Sequence, residues 1–217
     1  MEEGSFWVWS RTRLLRREIL QLTAPLERAK VLEIGCGTGV FLQSLADEPN
    51  LELLGSEIYL RGLKSARARN SSVEYVQLDA SDIPFEAEFD VVGAFDVIEH
   101  IDDDISVLRG ICQALKPGGH ALITVPQHQF LWSSLDELVH HKRRYGRKEL
   151  MDKARQAGLE VRFVSSFLFM LFPLMLLSRL LDRGRGQESE TQALDRRVRF
   201  SGWVNAVSTP SCAWTRR

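Results

Sequence analysis

The chain has 217 residues, 44% of them hydrophobic, with a formal net charge of −1 at pH 7 and a pI near 6.5. This size and apolar content predict one globular domain with a sizeable core, and the near-neutral charge argues against a nucleic-acid-binding protein. Three separated cysteines without a CxxC pair argue against a disulfide framework or a zinc site. The amino terminus does not read as a secretory signal, so we expect a cytoplasmic protein.

The first predicted element is a helix near the amino terminus. In SRTRLLRREILQL, apolar residues recur at helical spacing between arginines. We assign residues 1–28 to an N-terminal helical segment, 29–182 to the main domain and 183–217 to a flexible or atypical C-terminal tail.

From residue 30 onward, short β-branched or aliphatic runs alternate with longer amphipathic stretches. The runs are KVLEI, LELLGS, VEYVQL, FDVVGAF and HALITV. This alternation predicts an α/β fold with a mostly parallel sheet flanked by helices. A last helix is predicted to end at Gly158 before a strand LEVRFVS, and the tail contains no convincing apolar run, so a seventh strand is doubtful.

Three glycines, Gly35, Gly37 and Gly39, follow the first predicted strand in VLEIGCGTG. In an open parallel sheet, ligands bind outside the carboxyl ends of the strands, and the first strand-to-helix turn approaches them. Glycine permits unusual φ values and close contact there, and helix amides can receive an anionic group such as a carboxylate. The spacing differs from the GxGxxG of dinucleotide-binding proteins.

From Lys30 to Pro126 the sequence resembles the class I S-adenosylmethionine-dependent methyltransferases, which have a three-layer Rossmann-like sandwich. VLEIGCGTG, LELLGSE, QLDASDIPF, FDVVGAFDVIEHIDD and LKPGGHALITVP match the landmarks of that family in order. The resemblance implies S-adenosylmethionine as the cofactor, methyl transfer as the activity, and a set of cofactor-binding residues. The glycine turn would border the methionine portion, Glu57 would hold the ribose hydroxyls, and Asp79 and Ala80 would meet the adenine. The full predicted set is Glu33, Gly35, Cys36, Gly37, Gly39, Glu57, Ile58, Asp79, Ala80 and Phe95.

Simpler interpretations of some of these residues remain open. Glu57 could be a solvated strand end, and Asp79 could be a turn residue or helix cap in DASD. Phe95 could place an aromatic face near the sulfonium or could belong to the core.

His100 is the predicted catalytic base, needed only if the acceptor must lose a proton. Its carboxylate neighbours Asp96, Glu99 and Asp102 would favour a charged imidazole. Alternatively, His100 only hydrogen-bonds within its loop. A further hypothesis is that Asp96, Glu99 and His100, which resemble the metal site of ubiquinone-pathway O-methyltransferases, hold a divalent cation; our main prediction contains no metal.

The acceptor side is expected in the irregular stretch after the fifth strand. VPQHQFLWSSLDELVHHKRRYGRKEL resembles a subgroup of bacterial methyltransferases. The candidate acceptor-binding residues are His128, Trp132, Asp136, His141, Arg144 and Tyr145. Alternatively, Asp136, His141 and Arg144 form a structural polar cluster.

Residues 167–177, FLFMLFPLMLL, form an apolar run that is too short to span a membrane. We expect it to belong to the core or to cap a hydrophobic acceptor. Peripheral membrane contact through 167–185, where arginines follow the run, is the alternative. The predicted acceptor is a small, hydrophobic molecule such as a quinone precursor or a lipid-like metabolite.

Two other classes of function remain. An NAD- or nucleotide-sugar-dependent Rossmann enzyme would share the sheet, although the glycine spacing fits it less well. A non-catalytic methyltransferase-like binding module would keep the fold with an impaired site. The sequence leaves the oligomeric state and the acceptor atom open.

Overall fold

A computed structural model describes the backbone of residues 6–166 and 210–216 and the side chains of 9–166. The helices are α1 Phe6–Thr23, α2 Val40–Gln43, α3 Leu60–Arg69, α4 Asp104–Ala114, α5 Ser134–Leu138 and α6 Arg147–Gln156. The strands are β1 Ala29–Ile34, β2 Leu51–Glu57, β3 Glu74–Gln77, β4 Phe89–Phe95, β5 Leu115–Thr124, β6 Leu159–Ser166 and β7 Pro210–Arg216. Short 3₁₀ turns lie at Ile98–His100 and Gln129–Leu131.

The strands form one sheet in the order β3-β2-β1-β4-β5-β7-β6. Neighbours from β3 to β5 pair in parallel, whereas β7 runs antiparallel between β5 and β6. The expectation of a mostly parallel sheet flanked by helices is therefore confirmed. From β1 the chain continues to β2 and β3 on one side of the sheet and then crosses to β4 and β5 on the other. This reversal of direction creates a crevice between the carboxyl ends of β1 and β4, where such sheets bind ligands.

The doubtful seventh strand is present. Residues 210–216, PSCAWTR, pair with β5 and β6, with Leu122 opposite Ala213 and Val164 opposite Cys212. The segment contains no run of aliphatic residues, so its hydrophobic signal is weak, and backbone pairing on both sides defines the strand instead. The rest of the predicted tail, and the run 167–177, lie outside the described residues.

Helix α1 covers one face of the sheet beside the crevice. Leu15 and Ile19 are buried against Val31, Phe41 and Phe95. The predicted amino-terminal helix is confirmed, and its packing brings the preceding turn of α1, which carries Arg11, over the carboxyl end of β1.

The irregular stretch after β5 folds back on the sheet. Gln127 forms an isolated parallel bridge with Tyr145, and Tyr145 N donates to the Pro126 carbonyl at 2.9 Å. Helix α6 follows and ends before Gly158, whose φ of +92° reverses the chain into β6 as predicted. No helix in the described part of the chain is both long and apolar enough to cross a bilayer.

Candidate active site

The glycine turn at the end of β1 combines left-handed backbone with close packing. Gly35, Gly37 and Gly39 have φ of +67°, +55° and +75°. A Cβ on Gly35 would lie 2.7 Å from Val97 Cγ2, whereas one on Gly37 would meet nothing within 4 Å. Gly37 thus faces open space, as expected where a ligand approaches the backbone.

This turn borders a cleft of about 200 Å³. The cleft is lined by Arg11, Thr12, Leu15, Glu33, Gly35, Cys36, Gly37, Thr38, Val40, Phe41 and Phe95. Five of the ten predicted cofactor residues meet here: Glu33, Gly35, Cys36, Gly37 and Phe95. The Cys36 thiol is buried, and burial raises its pKa well above the usual range, so it stays protonated.

Glu33 presents a buried carboxylate to the cleft. It is 5% exposed, and its Oε2 has no hydrogen-bond partner among the described residues. Its register partners on the two neighbouring strands are Gly55 and Gly93, so neither partner places a polar side chain beside it. Burial raises the pKa of Glu33 to about 8, with Arg11 opposing this shift and Glu57 adding to it.

Glu57 ends β2 and is bound to the glycine turn. Its Oε2 accepts a hydrogen bond from Gly37 N and its Oε1 one from Tyr59 N, each at 3.0 Å. The residue is only 9% exposed, so it is not a solvated strand end. Its carboxylate stabilises the glycine turn and lies next to Gly37, whose backbone faces the cleft.

The predicted adenine-side residues lie farther along the same sheet edge. Ile58 is 45% exposed, and its carbonyl accepts from Gln77 Nε2 at 2.9 Å. Asp79 is exposed and accepts from Ser81 N and Oγ at 2.9 and 2.7 Å, which lowers its pKa. In this structure Asp79 therefore forms the turn that DASD allowed for, and Ala80 beside it is half-buried.

Phe95 belongs to both the core and the cleft. It is 7% exposed, and its ring packs edge-to-face against Phe41 with centroids 4.8 Å apart. The two interpretations of Phe95 are thus compatible, because one ring edge packs against the core and the residue still lines the cleft.

Arg11 is a site residue that sequence reasoning missed. It lines the cleft, and its Nη1 lies 2.9 Å from Asp96 Oδ2. Asp96 has a φ of +57° and also accepts from Thr124 Oγ1 at 3.0 Å. The sequence showed several arginines at helical spacing in α1, and nothing distinguished this one before the packing of α1 was known.

The expectation of a charged His100 is wrong. Burial, followed by the charge of His141, lowers the pKa of His100, and these effects outweigh the opposing influence of the His140 carbonyl and Asp96. The expectation counted the carboxylates adjacent in sequence, but it could not foresee that His141 packs against the ring, with centroids 4.8 Å apart.

Next to His100 lies the buried Glu99, with both carboxylate oxygens lacking a hydrogen-bond partner among the described residues. Burial, and then the charge of Asp96, raise the pKa of Glu99 well above its usual range. His141 Nε2 lies 3.9 Å from Glu99 Oε1. Glu99, His100 and His141 could hold a metal ion, whereas Asp96 of the earlier metal hypothesis is engaged by Arg11.

Three of the predicted acceptor residues form a polar cluster. Arg144 donates from Nε and Nη2 to the two oxygens of Asp136 at 2.7 and 3.0 Å, and His141 Nδ1 lies 2.9 Å from Asp136 Oδ1. Burial acts to raise the pKa of Asp136, but hydrogen bonds from His141 and Arg144 outweigh it and hold the pKa far below the usual range. Asp136 is 1% exposed, so this geometry favours the structural-cluster alternative.

Tyr145 corrects another expectation. It is fully buried, and its hydroxyl donates to Asp104 Oδ2 at 2.7 Å, beside Lys153 and Arg143, which bind the same oxygen. It fixes the loop to α4 and does not face an acceptor. The RRY pattern contained no sign that its tyrosine would be fully buried.

His128 and Trp132 lie on the outer part of the same stretch. The His128 ring packs at 5.1 Å from the exposed Phe130 ring, and Trp132 Nε1 donates to Glu137 Oε1 at 3.4 Å. Neither residue lines the cleft beside the glycine turn.

Comparisons with known proteins identify the family. Residues 8–164 match a family described as a methyltransferase domain. The chain is 30% identical over 166 residues to a ubiquinone biosynthesis O-methyltransferase of Ralstonia nicotianae, covering 67% of this chain and 69% of that protein. It also resembles phosphoethanolamine N-methyltransferase 2 of Haemonchus contortus in complex with S-adenosyl-L-methionine, with 25% identity and a TM-score of 0.66 over 95% of this chain and 51% of that one.

A methyltransferase from Mesorhizobium loti shares the fold, with a TM-score of 0.63 at 17% identity over 92% of this chain and 97% of that one. The fold, the family match and the relatives agree, and they decide against the NAD-dependent alternative. The chain therefore belongs to the methyltransferase domain family and is an S-adenosylmethionine-dependent methyltransferase with a Rossmann-like fold.

Proposed function

We propose that this chain transfers the methyl group of S-adenosylmethionine to a hydroxyl of a small, hydrophobic aromatic acceptor of the quinone-precursor type. Relatives about 30% identical to it carry the name ubiquinone biosynthesis O-methyltransferase, which supports this acceptor class. Apolar side chains of Leu15, Val40, Phe41 and Phe95 around the cleft also suit a hydrophobic ring near the transferred methyl group.

The observation that carries the proposal is the convergence of opposite charges on the glycine turn. The methionine end of the cofactor has an ammonium and a carboxylate. Glu33 offers a buried carboxylate with an unpartnered oxygen to the ammonium, and Arg11 offers a guanidinium to the carboxylate. Glu57, held at the edge of the turn, would accept from the two ribose hydroxyls. Ile58 and Asp79 would then lie along the adenine.

The reaction itself needs little beyond alignment and a proton acceptor. A lone pair of the acceptor oxygen attacks the methyl carbon, an O–C bond forms, and the C–S bond breaks to leave neutral S-adenosylhomocysteine. The hydroxyl proton must leave. His100, whose lowered pKa keeps the imidazole neutral near pH 7, would take it as general base.

Calorimetric titration with S-adenosylhomocysteine tests the cofactor site. We expect saturable binding to the wild type and sharply weaker binding to Glu57→Ala, with NAD giving no heat of binding. The matched control is Glu52→Ala, because Glu52 lies at the other end of β2, away from the glycine turn. Equal affinity of the Glu57→Ala protein would contradict the proposed placement.

An acceptor screen tests the substrate class. S-adenosylhomocysteine release is measured with a catechol bearing a hydrophobic side chain, with the same ring lacking that side chain, and with a small amine. We expect the first to have the highest kcat/KM. Preference for the amine would contradict O-methylation. Preference for the unsubstituted catechol would contradict the hydrophobic side chain of the acceptor and leave O-methylation standing.

A further inference from the structure

We propose that Asp96 is a positioning residue for the cofactor, because it holds Arg11 away from Glu33 and so keeps two opposite charges of the cleft apart. Arg11 and Glu33 line the same cleft of about 200 Å³. The inference rests on the proposed function, since it takes the methionine end of S-adenosylmethionine, with its ammonium and its carboxylate, as the ligand of these two charges. It gives a role to Asp96, which takes no part in the proposed reaction.

Opposite charges in one small cleft attract each other, and their pairing would withdraw both from a ligand. A guanidinium in contact with Glu33 would occupy the carboxylate that the cofactor ammonium needs. This contact is not made, because Glu33 Oε2 has no hydrogen-bond partner among the described residues. Arg11 is nevertheless near enough to oppose the rise in the pKa of Glu33 that burial causes. A further contact must therefore keep the guanidinium of Arg11 in its place.

Asp96 supplies that contact. Its Oδ2 lies 2.9 Å from Arg11 Nη1, and the two side chains are only 27% and 23% exposed. A guanidinium has five N–H donors, so the pairing with Asp96 through Nη1 leaves others for a ligand carboxylate. One turn further along α1, Leu15 is buried against the sheet and fixes the backbone of the helix. Arg11 is thus held at both ends, by the packing of α1 and by Asp96.

Asp96 is itself firmly placed at the end of β4. Its φ of +57° lies in the left-handed region, which aspartate tolerates better than most residues. Asp96 N donates to the Thr124 carbonyl at 3.0 Å, and Thr124 Oγ1 donates to Asp96 Oδ1 at 3.0 Å. Thr124 is fully buried as the last residue of β5. A guanidinium held by such a partner loses less rotamer freedom when the cofactor binds, and this preorganisation raises affinity.

The other ionisable groups around Glu33 cannot take the place of Arg11. Burial raises the pKa of Glu33 to about 8, Arg11 opposes this rise, and Glu57 on β2 adds to it because it carries the same charge. Burial also raises the pKa of Cys36 well above its usual range and that of Tyr75 to about 12, so both stay neutral. The position of Arg11 therefore determines how far Glu33 is ionised in the free protein.

The test is calorimetric titration of the full chain at pH 7 with S-adenosylhomocysteine and with methylthioadenosine, which lacks the amino acid portion. The variants are Asp96→Asn, which keeps the side-chain shape, and Thr124→Val, which removes only the hydrogen bond to Asp96. Arg11→Gln tests the placement of Arg11 in the proposed function. The matched control is Glu48→Gln, because Glu48 also binds α1, through Arg16, without contacting Arg11. Thermal unfolding monitored by circular dichroism verifies that each variant is folded.

Proton release provides a measurement that a general loss of structure would not change in the same way. In Asp96→Asn, Arg11 is free to pair with Glu33, and this contact lowers the pKa of Glu33 from about 8 to about 7 or below. Glu33 would then be at least about half ionised at pH 7 before the cofactor binds. The proton release that accompanies binding should fall to about half of the wild-type value or less. The double variant Arg11→Gln with Asp96→Asn should restore it.

We expect Asp96→Asn to weaken S-adenosylhomocysteine binding about 10-fold, Thr124→Val to weaken it less, and Glu48→Gln to leave it unchanged. Methylthioadenosine should bind equally to all of them. Unchanged or tighter binding of S-adenosylhomocysteine by folded Asp96→Asn, wild-type proton release, or an equal loss of methylthioadenosine binding would overturn the proposal. If Arg11→Gln still binds more weakly than the wild type, the proposed function stands in each of these cases. Unchanged binding by Arg11→Gln would contradict both.

Discussion

Proton release on cofactor binding is a quantitative consequence of the buried Glu33. With a pKa of about 8, Glu33 in the free protein is protonated in about nine-tenths of the molecules at pH 7, one unit below its pKa. A cofactor ammonium placed against its unpartnered Oε2 favours the ionised form. Binding S-adenosylhomocysteine at pH 7 should therefore release about 0.9 proton per chain.

The direction of the pH dependence of cofactor affinity follows from the linkage between binding and ionisation. The bound state needs ionised Glu33, so affinity rises as pH rises toward the pKa of the free protein. Between pH 6 and pH 7.5, where the cofactor amine stays protonated, the association constant should increase roughly 20-fold. The same raised pKa predicts that the free protein loses stability as pH rises from the unfolded value of 4.5 through about 8.

The assay is calorimetric titration in phosphate, imidazole and Tris buffers at pH 7, which differ in ionisation enthalpy. The slope of observed enthalpy against buffer enthalpy gives the number of protons released. Glu33→Gln preserves the shape of the side chain and should abolish the slope while weakening binding. A buffer-independent enthalpy for the wild type, or an equal slope in Glu33→Gln, would show that Glu33 does not ionise against the cofactor.

Three further predictions test other parts of the site. His100→Gln should lower kcat about 10²- to 10⁴-fold and remove the acid limb of the pH–rate profile, which in the wild type should lie below pH 6.5 because the pKa of His100 is lowered; an unchanged profile would reject the base role. Gly35→Ala should lose S-adenosylhomocysteine binding, since its Cβ would meet Val97, whereas Gly118→Ala, also at positive φ but in open space, should cost about 1–2 kcal/mol of backbone strain and leave binding intact. Tyr145→Phe should lower the free energy of unfolding in urea by about 1.5–3 kcal/mol through loss of the hydrogen bond to Asp104, while Tyr59→Phe, at a position 73% exposed, should stay within about 0.5 kcal/mol; equal effects would contradict the structural role of Tyr145.

The central sheet and the glycine turn could be predicted from sequence because their signals are local. The aliphatic runs, the glycine cluster behind Glu33 and the acid at the end of β2 are each contained in a few consecutive residues. Glu57 and Gly37 are 20 residues apart, and the parallel pairing of β1 with β2 brings them together, so that Glu57 accepts directly from Gly37 N.

Features that depend on distant parts of the chain could not be predicted. Arg11 reaches the cleft only because α1 packs on the sheet, and the lowered pKa of His100 depends on His141, forty-one positions later. The polar stretch around Tyr145 predicts an acceptor-binding residue, and only the structure shows that its hydroxyl donates to Asp104. Strand β7 was doubtful because it contains no run of aliphatic residues and its identity depends on two partner strands far away in sequence.

The position of strand β7 determines when the sheet can be completed during synthesis. It lies between β5 and β6, yet it is the last element of the sheet to be synthesised. Until residues 210–216 have left the ribosome, β5 has an unpaired edge and β6 has no strand beside it, although β1 to β5 can already associate. An unpaired edge invites pairing with other chains, so nascent or prematurely terminated forms should depend on chaperones far more than the finished protein does.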